Sequence, residues 1–385
     1  MDSRLATQGH RPVTEDDDLA VLRLIRSRRV GPATFHRLIA EHGSAGAALA
    51  ALPVIAAKAG MSGYTACPEG VALAELAAGR RAGARMIRID SPDYPPALAE
   101  IDTAPPILWV RGDPAWLSRD VIAVIGARNA SSLGLRMARG LAAGLGEAGY
   151  VVAAGLARGI DTAAHSATLI TGTIAVMAGG IDMIYPAENA HLASQIAEGG
   201  VLVSEQPPGT EPAARHFPTR NRIVSGLSRA VVVIEAAHQS GTLITAKNAL
   251  DQGREVMAVP GHPMDARASG CNALIRDGAT LVRNAADVSQ ALADIRQPLL
   301  TEAPPRQRRS SIAPPVQPLA PERCDTDSAV SLEARILSRL SPSPTEENDV
   351  IRDLGVSAAL ASAAILSLEL QGHVTRLAGG RLALT

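Results

Sequence analysis

The sequence predicts an α/β protein built on a doubly wound, mostly parallel sheet, with helical regions before and after it in the chain. Two observations carry this prediction. Short Val/Ile/Ala runs recur at 121–126 (VIAVIG), 151–155 (VVAAG), 173–180 (TIAVMAGG), 201–205 (VLVSE), 230–236 (AVVVIEA) and 256–261 (VMAVPG). They are continuously apolar rather than alternating, as strands buried on both faces must be. Helix-like segments such as GLRMARGLAAGLGEAG and DTAAHSATLI lie between most of them, and that alternation is the pattern of parallel crossover units.

Four regions follow one another. Residues 1–92 read as helical, with DLAVLRLIRSRR, GPATFHRLIAEHG and AGAALAALPVIAAKAG as the periodic segments. RRVGPATFHRLI has the look of a helix-hairpin-helix turn, whose free N–H groups can face a phosphate; plain helical packing is the stronger reading of a lone VGP. Residues 93–296 form the α/β domain, entered through the proline-punctuated DYPPALAEIDTAPPILWVRGDP (93–114), which is expected as a connector onto a sheet edge. Residues 297–327 are rich in Pro, Arg and Ser and read as a flexible linker. Residues 328–385 give helix, helix and two short strands around AGG, an order that suits a winged helix; a three-helix cap for packing or dimerisation is the alternative.

Composition narrows the function classes. The 385 residues are 46% hydrophobic and 19% charged, with a net charge of −1, so no global field draws the chain to nucleic acid or membrane. Any anion site must be local. Three cysteines, Cys67, Cys271 and Cys324, are widely spaced and form no CxxC, which argues against a disulfide framework or a zinc site. The N-terminus lacks a signal-peptide core, and no window approaches the ~18 apolar residues of a membrane span. A cytoplasmic protein with neither metal nor cofactor is the expectation.

Ligands of open α/β sheets bind beyond the carboxyl ends of the strands, where strand order reverses. The loops there read GARNASSLG (126–134), GLARGIDTAAH (155–165), AGGIDMIYPAEN (178–189) and AHQSGTLITA (237–246). None is GxGxxG or GxxxxGK[ST], so the dinucleotide and P-loop fingerprints are absent. In the last loop Ser240 and Thr242 offer hydroxyls, Gly241 permits close approach, and a helix N-terminus follows. A simple helix cap is the competing reading.

The segment AARHFPTRNR (213–222) tips the balance. It holds Arg215, His216, Arg220 and Arg222 without an acid, and Phe217, one of only two phenylalanines, sits among them. A ring beside guanidinium groups is what single-stranded nucleic acid needs, for stacking bases and neutralising the backbone.

Seven segments in order resemble the DNA-processing protein A (DprA/Smf) family: GARNASSLG, GLARGIDTAAH, GGIDMIYPAEN, SEQPPG, HFPTRNRIVSGLS, SGTLITAKNALDQGREVMAVPGHP and GCNALIRDGA, spanning about residues 93–283. The resemblance implies an extended Rossmann-like domain between an N-terminal helical domain (SAM or helix-hairpin-helix type) and a C-terminal winged helix. It implies a homodimer that binds single-stranded DNA, protects incoming strands and loads the RecA recombinase in natural transformation. By position it implies DNA contacts from Gly126, Arg128, Arg158, Arg215, Phe217, Arg220, Asn221, Arg222, Ser240, Gly241 and Thr242, and no catalytic residue. The chain departs from the family pattern at Ala127, where a small hydroxyl residue is usual, at Leu133, often aromatic, and at Ala154, often serine.

Two other classes compete. A nucleotide phosphoribohydrolase on a related fold would carry its glutamate three residues after Thr242; Thr245 stands there. Asp161, Asp182 and Glu235 remain as carboxylates, each able to cap a helix or bind Arg, and His165 and His238 have no evident nucleophile partner. A duplex-reading regulator would use 357–370 (SAALASAAILSLEL) as its recognition helix, but that segment has no Lys or Arg.

Overall fold

A computed structural model describes residues 15–296, 329–340, 344–377 and 381–384. The linker expected at 297–327 lies outside the described residues. Helices α1 (Glu15–Arg26), α2 (Pro32–His42), α3 (Ala45–Lys58) and α4 (Glu69–Arg81) come first. Strand β1 (Arg85–Arg88), the short helix α5 (Pro96–Ala99) and strand β2 (Ile107–Gly112) follow.

All six apolar runs become strands. They are β3 (Val121–Ile125), β4 (Val151–Ala154), β5 (Thr173–Val176), β6 (Val201–Ser204), β7 (Ala230–Val233) and β8 (Glu255–Ala258), with β9 (Thr280–Leu281) at the far edge. The helices between them are α6 (Ser132–Glu147), α7 (Ile160–Ala167), α8 (Ala190–Gly199), α9 (His216–Leu227), α10 (Thr242–Asp251) and α11 (Ser269–Arg276), and α12 (Ala285–Arg296) follows β9.

The nine strands lie in the order β1-β2-β6-β5-β4-β3-β7-β8-β9. Pairing is parallel from β6 to β9, while β2 runs antiparallel to both β1 and β6. Because side chains alternate across a strand, Ala123, Ile125, Val231 and Val233 enter one core and Ile122, Val124, Ala230 and Val232 the other. Both faces are thereby covered, which is why the runs are apolar throughout.

The edge of the sheet departs from the sequence reading. The connector at 93–114 contains a buried strand, β2, and β1 joins it from before residue 93, so the sheet begins at Arg85. Trp109 of β2 lies against α4 so closely that a Cβ at Gly79 would fall 2.0 Å from its ring. Its indole N–H donates to Glu75 Oε1 (3.1 Å), which also pairs with Arg26 (2.8 Å). The N-terminal helices and this end of the sheet share one core, which includes Leu22, Phe35, Trp109 and Leu202. Packing is therefore what this region visibly does. The turn before α2 takes its left-handed residue from Arg29 (φ 63°), whereas Gly31 is extended (φ −100°).

The C-terminal region contains α13 (Ala329–Arg339), β10 (Thr345–Glu346), α14 (Glu347–Leu354), α15 (Ala358–Leu370), β11 (Val374–Leu377) and β12 (Arg381–Leu384). Its three-stranded sheet, ordered β10-β12-β11, makes it a winged helix rather than a three-helix cap.

Candidate nucleic-acid interface

Strand order reverses at β3, which has β4 on one side and β7 on the other. A cavity of about 680 Å³ opens there, walled by the loops after β3, β4 and β7 and by the first turns of α9. Three arginines, Arg128, Arg220 and Arg267, line it against one acid, Asp161. The local positive patch required by a chain of net charge −1 is therefore present.

The exposed Arg128 places its guanidinium 4.9 Å from the centroid of the Phe217 ring. Tyr185, from the loop after β5, meets that ring in a T-shaped contact, with centroids 5.7 Å apart and planes at 63°. Phe217 is half-buried while Phe35, the other phenylalanine, is 3% exposed in a core. Among the described residues no carboxylate is within ion-pair distance of Arg128. Its charge faces the groove with only an aromatic face beneath it, an arrangement stabilised by the ring quadrupole.

Arg220 plays a different part. It is 7% exposed, donates to the carbonyl of Val176, and fills the space beside Gly155, where a Cβ would fall 2.0 Å from it. Burial pushes its guanidinium down to about 10, with Asp161 opposing and Arg128 reinforcing. Asp161 accepts from the N–H groups of Gly155 (3.0 Å) and Ala157 (3.3 Å). Burial raises its carboxyl, against the pull of Arg220. The two are the charged floor of the groove.

The loop after β7 is partly its own partner. Thr242 N–H donates to Ser240 Oγ (3.2 Å), and Thr242 Oγ1 donates to the Gly126 carbonyl (3.1 Å), stitching this loop to the one after β3. The N–H groups of Ser240, Leu243 and Ile244 bond within the turn. The N-cap is Gly241, with no side-chain cap bond; the Ser240 oxygen accepts the Thr242 N–H and its hydroxyl keeps its own hydrogen for a ligand.

Of the residues expected to contact DNA, Gly126, Arg128, Phe217, Arg220, Asn221, Ser240, Gly241 and Thr242 line this cavity. Arg158 lines an adjoining cavity of about 880 Å³ and pairs with Glu188 at 2.8 Å. Arg215 lines neither. Arg222 also lines neither: it lies two residues past Arg220, on the opposite side of α9, where it pairs with Glu205 at 2.7 Å. Among the three departures, Ala127 lines the groove, Leu133 lines a different cavity beside α6, and Ala154 is buried at the end of β4.

The other carboxylates are engaged in structure. Glu235 turns away from the groove to accept from Ser131 N–H (2.9 Å) and Oγ at the start of α6. Asp182 accepts from Gly209 N–H (2.7 Å). His165 is buried with Nδ1 2.7 Å from Thr173 Oγ1, and burial, reinforced by Arg220, pushes it down to about 3. Among the described residues, no group of three His, Cys, Asp or Glu could hold a metal ion, and no single helix is long and apolar enough to cross a membrane.

Two residues lining the two cavities, Arg267 in the first and Tyr185 in the second, escaped the sequence reading. Tyr185 carried a signal, as an aromatic in a post-strand loop of a chain only 2% aromatic. Arg267, which pairs with Asp265 at 3.2 Å, lay in a loop without a motif.

Fold and groove together define a Rossmann-like DNA-processing protein with helical and winged-helix flanks. Family models match all three parts: DNA recombination-mediator protein A over residues 85–293, a DprA-like N-terminal HHH domain over 15–78 and a DprA winged helix domain over 317–380. The chain belongs to the DNA recombination-mediator protein A (DprA/Smf) family. It is 43% identical to DNA processing protein DprA of Bacillus subtilis over 56% of this chain and 74% of that one. It is 35% identical to Protein Smf of Synechocystis over 76% and 78%, respectively. The X-ray structure of DprA from Streptococcus pneumoniae superposes with a TM-score of 0.55 at 38% identity, covering 58% of this chain and 77% of that one. A structure of the Helicobacter pylori protein, concerned with its single-stranded DNA binding mode, gives 0.51 at 26% identity, covering 56% and 98%.

Proposed function

We propose that the chain binds single-stranded DNA in the switch-point groove, protects incoming strands, and helps load the RecA recombinase on them in natural transformation or recombination. In this reading it acts in the cytoplasm as a homodimer and catalyses no reaction. The observation that carries the reading is the Arg128–Phe217–Tyr185 cluster. Two rings offer π-faces to unpaired bases, and Arg128 offers an unpaired charge to the phosphates between them. Bases in a duplex are stacked on one another and offer no such face. That the Helicobacter pylori relative binds single-stranded DNA supports this reading.

The acids of the groove speak against a catalytic step. Asp161 is the acid lining the groove, and its oxygen is held by two backbone N–H groups beside Arg220. Thr245, where a phosphoribohydrolase would place glutamate, lines the groove and cannot act as an acid or base at neutral pH. Incubation with nucleoside monophosphates is expected to release no free base.

Filter binding at two salt concentrations tests the proposal. Single strands are expected to bind tighter than duplex, with steep salt dependence. Equal or better binding of duplex would overturn it.

A further inference from the structure

The second cavity, about 880 Å³, lies between the Rossmann-like core and the winged-helix domain. It joins the first through Arg128, Asn129, Gly155, Ala157 and Phe217, which line both. Each falls in the roughly 300–1,000 Å³ range that buries one drug-sized ligand, so together they have room for more than one nucleotide. The charge of the second cavity is one-sided. Arg128, Arg139, Arg158, Arg335 and Arg339 line it, with Glu188 as the one acid among the described residues.

Two of those arginines belong to the winged-helix domain. Arg335, Ser338 and Arg339 are spaced i, i+3, i+4 on α13 and form one stripe. Leu332, Ile336 and Leu340 of the same stretch fill the domain's own core. Among the described residues no carboxylate pairs with Arg335 or Arg339. Arg335 donates to the Leu354 carbonyl (2.9 Å) and Arg339 to the Ala130 carbonyl (3.1 Å). A guanidinium has five N–H donors, so most remain for an anion.

The domain is held in this position by complementary charge. Asp349 and Asp353 of α14 pair with Arg136 (3.1 Å) and Arg139 (2.9 Å) of α6. Arg267 donates to the carbonyls of Ser338 (2.7 Å) and Leu340, satisfying acceptors that a helix end leaves open. The same Arg267 lines the first cavity. The last turn of α13 is thus fastened at the mouth of the groove. Arg139 and Arg158 are paired with Asp353 and Glu188, which leaves Arg128, Arg335 and Arg339 around the cavity without a carboxylate in ion-pair contact among the described residues.

We propose that α13 is the second wall of the DNA path: Arg335 and Arg339 take backbone phosphates of the single strand held at Arg128 and Phe217. The winged-helix domain then acts through α13, and not through α15, which has no Lys or Arg. The inference rests on the single-strand reading given above.

The test is the salt dependence of oligothymidylate binding by the full chain. Wild type is compared with Arg335→Ala/Arg339→Ala and with Arg335→Lys/Arg339→Lys. The alanine pair is expected to weaken binding and to lower the slope of log K against log salt by about 1.4, since each neutralised phosphate of a single strand contributes about 0.7. The lysine pair keeps the charge and is expected to keep the slope. An alanine pair with wild-type slope and affinity overturns the inference, while wild-type binding leaves the single-strand reading intact. Equal loss of slope in both pairs also overturns it, by assigning the arginines to packing. A wild-type chain that does not bind oligothymidylate defeats both readings.

Discussion

The guanidinium of Arg128 lies 4.9 Å from the centroid of Phe217, and no carboxylate among the described residues neutralises it. An uncompensated cation on a half-exposed ring is poised for a ligand that brings both an anion and a π-face. Phe217→Ala is expected to cost about 1–3 kcal/mol of oligothymidylate affinity, the worth of one base–ring stack. Arg128→Ala is expected to weaken binding and flatten the salt slope by about 0.7. Thermal unfolding of both variants should match wild type, because neither side chain is in a core.

Tyr185 predicts a finer distinction. Its ring lies 5.7 Å from that of Phe217, and stacking does not need its hydroxyl. Tyr185→Phe is expected to bind like wild type, and Tyr185→Ala to lose affinity by the same order as Phe217→Ala. Fluorescence anisotropy with a labelled oligothymidylate reads both.

Arg220 is expected to behave unlike Arg128, although the sequence places both in one site. Its guanidinium is buried, donates to the Val176 carbonyl and offsets the charge of the buried Asp161 without an ion-pair contact. Arg220→Met leaves those groups uncompensated and is therefore expected to lower stability by about 1–3 kcal/mol, read as a shifted urea midpoint. A variant as stable as wild type would remove Arg220 from the floor of the groove.

Much of this arrangement is legible in the sequence, and what is not has physical reasons. Strands buried on both faces leave an uninterrupted apolar run, so β3 to β8 can be read directly. The isolation of Phe217 among basic residues marked it as a surface ring in an aromatic-poor chain. Arg222 looked equivalent to Arg220 because a list of residues has no helical phase; two positions along α9 turn it toward Glu205. The edge strands β1 and β2 have only the four-residue helix α5 between them and pair antiparallel, so they gave no crossover pattern. Arg335 and Arg339 reach the groove from about 200 residues further along the chain, at a distance that periodicity cannot register.

The two loops at the switch point touch through Gly159. Its φ is +76°, and a Cβ there would lie 2.4 Å from the Ala127 carbonyl oxygen and 2.6 Å from that of Arg128. Gly149 has a similar φ of +87° with open space around it. Both alanine variants are expected to be destabilised, by more than about 1 kcal/mol where the backbone is left-handed. Gly159→Ala alone is expected to weaken DNA binding, because it displaces the loop that carries Arg128. Equal affinity in the two variants would show that this loop does not position Arg128 for the ligand.

His165 predicts a pH dependence of stability. Its folded pKa is pushed down to about 3 against an ordinary 6.5. Below pH 6.5 the unfolded chain takes up a proton that the folded chain refuses, so this contribution is lost as pH falls from 6.5 toward 3. Between pH 7 and pH 5 the loss is expected to be about 2 kcal/mol. His165→Asn keeps a hydrogen-bonding group toward Thr173 without a titrating ring. Urea unfolding at the two pH values should show a smaller loss in the variant than in wild type.

The most direct measurement is photocrosslinking of a bromodeoxyuridine-substituted single strand to the full chain, with the adducts mapped by mass spectrometry. Adducts are expected at Phe217 and Tyr185, suppressed by unlabelled single strand and not by duplex. Adducts confined to α15 or to the N-terminal helices, with neither ring labelled, would contradict the groove assignment.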